Sequence, residues 1–285
     1  MRETIRSATL YAASVRRVLA HERSRELRRR LARADGRLVF VVGAPRSGTT
    51  FLAGAIGAVP GFVDLSEVTP LKAAIPELAA LPEREAAERI RGILERVRRL
   101  GLVRGLRGVE QTPETVFVLA AALEAYPLAR AVHLVRDGRD VVCSLLERGW
   151  LSAARDGADD AGLAYGSAAR FWVDPARRAE FESASDVARA AWAWRAYVSA
   201  GRAATAASGT AGRILELRYE SLVADPGGAA ETIAGHLGAD AAALAGALGG
   251  ARAGSVGRFR RELTEDQLAE VDREAGALLR ELEYV

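Results

Sequence analysis

Apolar residues occur along the chain in two patterns, and the first is a short continuous run. Residues 38–42 read LVFVV and residues 131–135 read AVHLV. Such runs predict strands that are buried on both faces, as in a parallel sheet. A third strand is predicted over Arg213 to Arg218, where apolar and charged residues alternate.

The second pattern places apolar residues three or four positions apart, which predicts helices. The predicted helices cover residues 48–58, 82–100, 113–125, 138–148, 183–206, 228–237, 241–248 and 265–282. Residues 59–70 are predicted to form a loop. Because strands alternate with helices, we predict an α/β fold, a three-layer sandwich with a central parallel sheet.

The beginning of the chain differs from the rest in charge. Residues 4–34 have the apolar spacing of one long amphipathic helix, and residues 1–37 hold eleven arginines against four acidic residues. We therefore expect residues 1–37 to form a basic helical arm and residues 38–285 to form a single domain. The arm is predicted to pack on the domain, to join a second copy of the chain, or to meet an acidic partner.

Composition excludes several classes of protein. With 285 residues, 49% of them hydrophobic, the chain is neither disordered nor fibrous. The longest apolar run, Val116 to Leu123, is far shorter than the roughly 20 residues of a membrane span. No clean secretory signal is present, and the only cysteine is Cys143, so a cytoplasmic protein is expected. The basic excess lies in the arm without a nucleic-acid-binding motif, so no nucleic-acid partner is predicted.

The clearest motif is a glycine-bearing turn between a strand and a helix. Residues 43–50 read GAPRSGTT, and the spacing of Gly43 and Gly48 lets successive N–H groups point inward at the start of a helix. Such a turn binds an anion. Thr49 stands where phosphoryl-transferring P-loop enzymes have lysine, and the loop carries its cation as Arg46. A P-loop kinase or NTPase is the alternative.

This turn resembles the 5′-phosphosulfate-binding loop of the sulfotransferases that use 3′-phosphoadenosine 5′-phosphosulfate (PAPS), especially the carbohydrate and tyrosylprotein branches. Residues 135–144, VRDGRDVVCS, resemble the 3′-phosphate-binding segment of that family, with Arg136 and Ser144 at its phosphate-binding positions. The resemblance implies the P-loop NTPase-like sulfotransferase fold, PAPS as co-substrate, the bisphosphate PAP as product, and no metal. Weaker similarities are Trp194, RYESL at residues 218–222, and SVGRFR at residues 255–260.

The resemblance also implies a set of donor-binding residues. These are Arg46, Ser47, Gly48, Thr49, Thr50, Phe51, Arg136, Ser144, Tyr219, Arg258 and Arg260. For several of them a structural interpretation stays open. Phe51 is predicted either to stack on adenine or to be part of the core, and Arg136 either to bind phosphate or to pair with Asp137 or Asp140. Arg258 and Arg260 are predicted either to close over the donor or to lie in a solvated loop.

Sulfuryl transfer in line also needs a general base and a group that stabilises the leaving phosphate. Arg46 is expected to stabilise the phosphate. Cytosolic members use a histidine between the two motifs, but residues 51–132 contain none, so a carboxylate is favoured. Glu67 matches the glutamate of the carbohydrate and tyrosylprotein branches. The alternatives are that Glu67 is a solvated loop acid, or that Glu110 is the base.

One departure from the family pattern concerns a lysine. The family often shows E-K-T-P, whereas residues 110–113 read EQTP, and Gln111 carries no charge. An arginine or Lys72 replaces that lysine, or the acceptor does not require it. The aromatic residues Trp150, Tyr165, Phe171 and Trp172 are predicted to form either an acceptor pocket or a core edge. A small-molecule or carbohydrate acceptor is expected, and a non-catalytic nucleotide-binding protein is a further alternative.

Overall fold

A computed structural model of the chain describes residues 38–100, 106–151, 173, 175–251 and 253–285. The predicted arm, residues 1–37, lies outside these described residues. The same is true of three of the four aromatic residues predicted near the acceptor, namely Tyr165, Phe171 and Trp172.

The centre of the fold is a parallel sheet of five strands. They are β1 (Leu38–Val42), β2 (Phe62–Ser66), β3 (Arg107–Glu110), β4 (Arg130–Val135) and β5 (Ile214–Arg218), in the order β2-β3-β1-β4-β5. All four neighbouring pairs are parallel. The predicted α/β fold with a central parallel sheet is therefore confirmed.

Helices surround the sheet. They are α1 (Thr49–Ala58), α2 (Thr69–Leu78), α3 (Glu83–Leu100), α4 (Leu119–Ala125), α5 (Gly138–Arg148), α6 (Arg178–Ser183), α7 (Asp186–Ala206), α8 (Tyr219–Ala224), α9 (Pro226–Leu237), α10 (Ala241–Leu248), α11 (Phe259–Glu262) and α12 (Glu265–Glu281). Among the described residues, none of these helices is long and apolar enough to cross a membrane.

The two faces of the sheet each bury a core, which makes the three layers. In β1, Leu38, Phe40 and Val42 belong to one core, and Val39 and Val41 belong to the other. Successive side chains of a strand point to opposite faces, so a continuous apolar run fits a strand covered on both sides.

The loop predicted for residues 59–70 is wrong, because this segment contains β2 and the start of α2. Strand β2 reads FVDLS and lies at the edge of the sheet, so Asp64 and Ser66 interrupt the apolar run. Strand β3 is only four residues long and includes Gly108. A β-carbon at Gly108 would lie 2.7 Å from a methyl group of Leu65, so a larger residue there would displace that side chain.

The helix predicted over residues 113–125 is divided in the structure. Residues Pro113–Val118 form a 3-10 helix, and α4 follows it. Pro113 lies at the first turn, where its missing N–H costs nothing.

Candidate active site

One feature considered in the sequence analysis follows the carboxyl-terminal end of each strand of the sheet. The phosphate loop follows β1, Glu67 follows β2, and Gln111 follows β3. Arg136 follows β4, and Tyr219 follows β5. Because the strands are parallel, all five features lie along the same edge of the sheet, where α/β proteins bind their ligands.

The phosphate loop is held in a sharp turn. Gly48 has φ 95° and is the residue before α1, and Ser47 N donates to the carbonyl of Ala44 at 3.0 Å. A β-carbon at Gly48 would lie 2.8 Å from the ring of Tyr219. The Oγ of Ser47 is buried and has no hydrogen-bond partner among the described residues. The loop therefore offers a buried polar atom at the start of α1.

Arg136 lies against this loop rather than on the surface. It is buried, and its Nη1 donates to the carbonyl of Arg46 at 3.2 Å. Its guanidinium stands 4.8 Å from the centre of the Tyr219 ring, a cation–π contact. Its backbone carbonyl accepts a hydrogen bond of 3.0 Å from the indole of Trp194. These contacts fix the arginine between the ends of β1, β4 and β5.

Of the two ion pairs predicted as the alternative for Arg136, the one with Asp140 is present in the structure. Asp137 caps α5 by accepting from Arg139 N, and its carboxylate pairs with the Arg139 guanidinium at 2.7 Å. Asp140 is 3.9 Å from Arg136 Nη2. The Nε of Arg136 is buried and has no hydrogen-bond partner among the described residues. Arg136 thus keeps one buried donor without a partner in the described part of the chain.

The two predicted phosphate-binding motifs meet through Arg46. Its Nε donates to Ser144 Oγ at 2.9 Å, which joins the turn after β1 to the helix after β4. Burial lowers the pKa of Arg46, and the positive charges of Arg148, Arg136 and Arg258 lower it further. The ring of Trp150 is centred 5.6 Å from its guanidinium carbon. Such a concentration of positive charge favours a bound anion.

The segment from Ser255 to Phe259 closes over this cluster. Arg136 Nη2 donates to the carbonyl of Ser255, and Tyr219 Oη lies 3.2 Å from Ser255 Oγ. The buried carboxylate of Asp140 accepts from Gly257 N at 2.7 Å and from Phe259 N at 3.1 Å. Sequence reasoning considered Asp140 only as a partner of Arg136, because the hydrogen bonds to this distant segment leave no local signal.

The two late arginines have different surroundings. Arg258 pairs with Glu147 and Glu262, which raises the pKa of the guanidinium above its usual range. Its charge contributes to lowering the pKa of Arg46. Arg260 is exposed and stands 4.9 Å from the centre of the Phe259 ring.

Helix α1 carries the remaining predicted donor-binding residues. Thr49 is buried, and its Oγ1 accepts from Gln111 Nε2 at 3.1 Å. Thr50 is exposed. Phe51 is half-buried and packs against the core on its side of the sheet. Gln111 therefore binds the first residue of α1 through a neutral hydrogen bond.

The two candidate bases differ in accessibility. Glu67 keeps 28% of its side chain exposed, and its Oε2 accepts from Lys72 Nζ at 2.8 Å. Glu110 is fully buried, and its oxygens accept from Thr112 N at 2.9 Å and Thr115 Oγ1 at 3.1 Å. Burial raises the pKa of Glu110 to about 8. Of these two carboxylates, only that of Glu67 is exposed to solvent.

The described residues contain no group of three or more His, Cys, Asp or Glu side chains placed to hold a metal ion. His133 lies inside the sheet, with Nδ1 3.3 Å from Glu216 Oε2, and His236 Nε2 contacts the carbonyl of Ala131 at 3.0 Å. Both histidines are away from the carboxyl-terminal ends of the strands, where the candidate site lies.

Comparisons with known proteins agree with this geometry. The sequence profile described as the sulfotransferase family matches residues 93–242, which is more than half of the chain. No curated protein matches the chain in sequence. Three solved structures resemble it at identities that show the fold alone.

The first is the sulfotransferase domain from the curacin biosynthetic pathway, with a TM-score of 0.55 at 14% identity over 84% of this chain and 96% of that one. The second is mouse sulfotransferase SULT7A1 complexed with PAP, with a TM-score of 0.51 at 17% identity over 90% of each chain. The third is sulfotransferase STF9 from Mycobacterium avium, with a TM-score of 0.51 at 14% identity over 94% of this chain and 83% of that one.

Proposed function

The chain belongs to the sulfotransferase family, and we propose that it transfers a sulfuryl group from PAPS to a hydroxyl or amine of a small-molecule or carbohydrate acceptor. The observation that carries this proposal is the meeting of Arg46 and Arg136 at one edge of the sheet. Arg136 Nη1 donates to the backbone of Arg46, and Arg46 Nε donates to Ser144. The two turns proposed to bind anions are thus in direct contact.

The residues of these two turns fit a donor that has a phosphate group at each end of one ribose. Residues 43–48 and the start of α1 would hold the 5′ end, where N–H groups and Ser47 Oγ are available. Arg136 and Ser144 would hold the 3′-phosphate. A bound anion would satisfy the two buried polar atoms that have no partner among the described residues, Ser47 Oγ and Arg136 Nε.

Three side chains have proposed roles in the reaction. Glu67 takes the proton of the acceptor, since its carboxylate is accessible at the end of β2. Arg46 stabilises the negative charge that grows on the leaving 5′-phosphate. Thr49 contributes a hydroxyl at the start of α1. When bound, PAPS supplies the sulfuryl group, and the acceptor atom bonds to sulfur as the bond from sulfur to the 5′-phosphate breaks.

Glu67 is a better base than Glu110 on two grounds. Glu110 is fully buried and bound to its own turn, so an acceptor cannot reach it. Its raised pKa, about 8, also keeps it protonated at neutral pH. A neutral carboxyl group does not act as a base.

Titration calorimetry with three nucleotides tests the donor site. We expect PAP to bind more tightly than adenosine 5′-phosphate, which lacks the 3′-phosphate, and more tightly than magnesium ATP. The substitution Arg136→Gln should weaken PAP binding about 10- to 100-fold, since charge-assisted hydrogen bonds contribute about 1.5–3 kcal/mol each, and should leave adenosine 5′-phosphate binding unchanged. Preference for magnesium ATP would instead support a kinase or NTPase.

Mass spectrometry tests the transfer itself. The chain is incubated with PAPS and a library of hydroxyl and amine acceptors, and products are searched for an added SO₃ group. Transfer that depends on Arg46 supports the proposal. PAP binding without any transfer would instead indicate a nucleotide-binding protein that is not an enzyme.

A further inference from the structure

A buried ammonium group lies directly against the proposed base. Lys72, in the first turn of α2, donates from Nζ to Glu67 Oε2 at 2.8 Å. Only 8% of the lysine side chain is exposed, against 28% of the glutamate side chain. A buried ammonium is costly unless it is paired, so the carboxylate and the ammonium hold each other in this position.

The backbone around Glu67 is tied to the phosphate loop. The residue before it, Ser66, accepts a hydrogen bond of 3.2 Å from Gln111 N, and the residue after it, Val68, donates to Thr112 Oγ1 at 3.2 Å. The side chain of the same Gln111 reaches Thr49 Oγ1 at 3.1 Å. The position of Glu67 is therefore fixed relative to the start of α1 through three hydrogen bonds.

The residue type at position 72 is informative. The chain has forty basic residues, and Lys72 is the only lysine among them. An arginine tends to bind both oxygens of a carboxylate through its planar fork, whereas a lysine presents one compact charge. Lys72 binds Oε2, and no group of the described residues donates a hydrogen bond to Oε1 of Glu67. One oxygen is thus held and the other is left open.

We propose that Lys72 is a positioning residue for sulfuryl transfer, which holds Glu67 by Oε2 so that Oε1 takes the acceptor's proton. This inference rests on the proposed function. The acceptor's O–H bond breaks, its proton moves to Oε1, and its electron pair forms the new bond to sulfur. The electron pair of the broken sulfur–oxygen bond stays on the 5′-phosphate. Lys72 keeps its proton throughout and supplies, next to the base, the charge that Gln111 lacks.

Kinetics of two substitutions test the role. Lys72→Met keeps the length and apolar stem of the side chain and removes the charge. We expect kcat for transfer from PAPS to fall about 10- to 100-fold, part of the 10²–10⁴ that a positioned base contributes, while the Kd for PAP changes less than about two-fold. The matched control is Glu77→Gln, in the same helix as Lys72. It removes an exposed ion pair with Arg89 of α3 and should leave kcat unchanged.

Chemical rescue separates positioning from packing. Lys72→Ala leaves a space that ethylammonium ions can enter, so added ethylammonium should restore several-fold of the lost kcat. It should restore nothing in Lys72→Ala combined with Glu67→Gln, because the proposed base is then absent. Equal restoration by ethanol would show that only packing was lost and would overturn the proposal.

The single lysine also gives a readout that needs no turnover. In the chain labelled with ¹⁵N-lysine, the one side-chain signal belongs to Lys72, and we expect it to shift in Glu67→Gln. An unchanged signal shows that the pair does not form and overturns the proposal, even where Lys72→Met does not fold. Wild-type kcat in a folded Lys72→Met overturns it as well. Absence of transfer by the wild-type chain overturns the proposed function and this role with it.

Discussion

Arg46 and Ser144 are 98 positions apart in the sequence, and a hydrogen bond of 2.9 Å joins Nε of the arginine to Oγ of the serine. The first residue belongs to the turn after β1 and the second to α5 after β4. Because β1 and β4 are neighbours in the sheet, two motifs that are distant in the sequence lie side by side.

Ser144→Ala should affect nucleotides according to their phosphates. The substitution removes the hydroxyl that accepts from Arg46 and that the proposed 3′-phosphate site needs. We expect PAP affinity to fall about 5- to 15-fold, since one hydrogen bond contributes about 1 kcal/mol or somewhat more. Affinity for adenosine 5′-phosphate, measured by the same calorimetry, should change less than about two-fold. An equal loss for both nucleotides would contradict a specific role at the 3′ end.

Glu67→Gln should abolish transfer and leave donor binding intact. The amide keeps the shape of the side chain but cannot take a proton, so kcat should fall about 10²- to 10⁴-fold. The Kd for PAP, measured by calorimetry, should stay within about two-fold of the wild-type value. Full activity in this variant would assign the base to another residue.

Asp140→Asn should loosen the segment from Ser255 to Phe259, which lies over Arg136. Its carboxylate is fully buried and accepts from Gly257 N and Phe259 N. An amide can replace only one of these acceptors, so we expect the free energy of unfolding to fall by about 2–3 kcal/mol. Amide hydrogen exchange at residues 257 and 259 should become faster.

A control for Asp140→Asn is Asp240→Asn. Asp240 accepts from one backbone N–H, that of Ala243, at the exposed start of α10. Asn caps a helix about as well as Asp, so this variant should change the free energy of unfolding by well under about 1 kcal/mol, without faster exchange at residue 257. Unchanged exchange at residue 257 in Asp140→Asn would show that the closing segment does not depend on this carboxylate.

Gly48→Ala should be far more damaging than a glycine substitution inside the helix that follows, α1. Gly48 has φ 95°, and a β-carbon there would lie 2.8 Å from the Tyr219 ring. The unfavourable backbone conformation alone costs about 1–3 kcal/mol. Gly54→Ala, inside α1 where a β-carbon meets nothing within 4 Å, should be neutral or stabilise by up to about 1 kcal/mol. Thermal unfolding measures both, and equal effects would contradict the tight packing of the loop.

Glu110 should make the folded state less stable as pH rises. Burial raises its pKa from 4.5 to about 8, so between these values the folded chain keeps a proton that the unfolded chain has released. Its stabilising contribution is therefore complete below about pH 4.5 and is lost as pH rises towards 8. In Glu110→Gln, this part of the pH dependence of unfolding should disappear. The same slope in wild type and variant would contradict the raised pKa.

The sequence was informative where one pattern extended without interruption. The apolar runs of β1 and β4 predicted buried parallel strands, and GAPRSGTT predicted the turn between β1 and α1. Strand β2 was not predicted because Asp64 alternates with apolar residues at a half-covered edge. Strand β3 was not predicted because four residues, one of them Gly108, are too few for a pattern.

The chemistry of the site was predicted less completely than its location. Glu67 was predicted from a motif to be the base, and Lys72 was considered as a cation, but the pair between them depends on α2 beginning at Thr69. Because a loop was predicted over residues 59–70, the start of α2 was not predicted. Asp140 was similar: its contacts with Gly257 and Phe259 join positions more than a hundred residues apart.

The direction shared by all five strands also separates two tasks within one sheet. The groups proposed to react and to hold the donor gather where the strands end, whereas the contacts described near the opposite end hold the fold together, as in the hydrogen bond from Arg213 to the carbonyl of Leu123. Protein engineers can therefore raise heat tolerance by substituting residues at the end of the sheet where the strands begin, with little penalty to turnover.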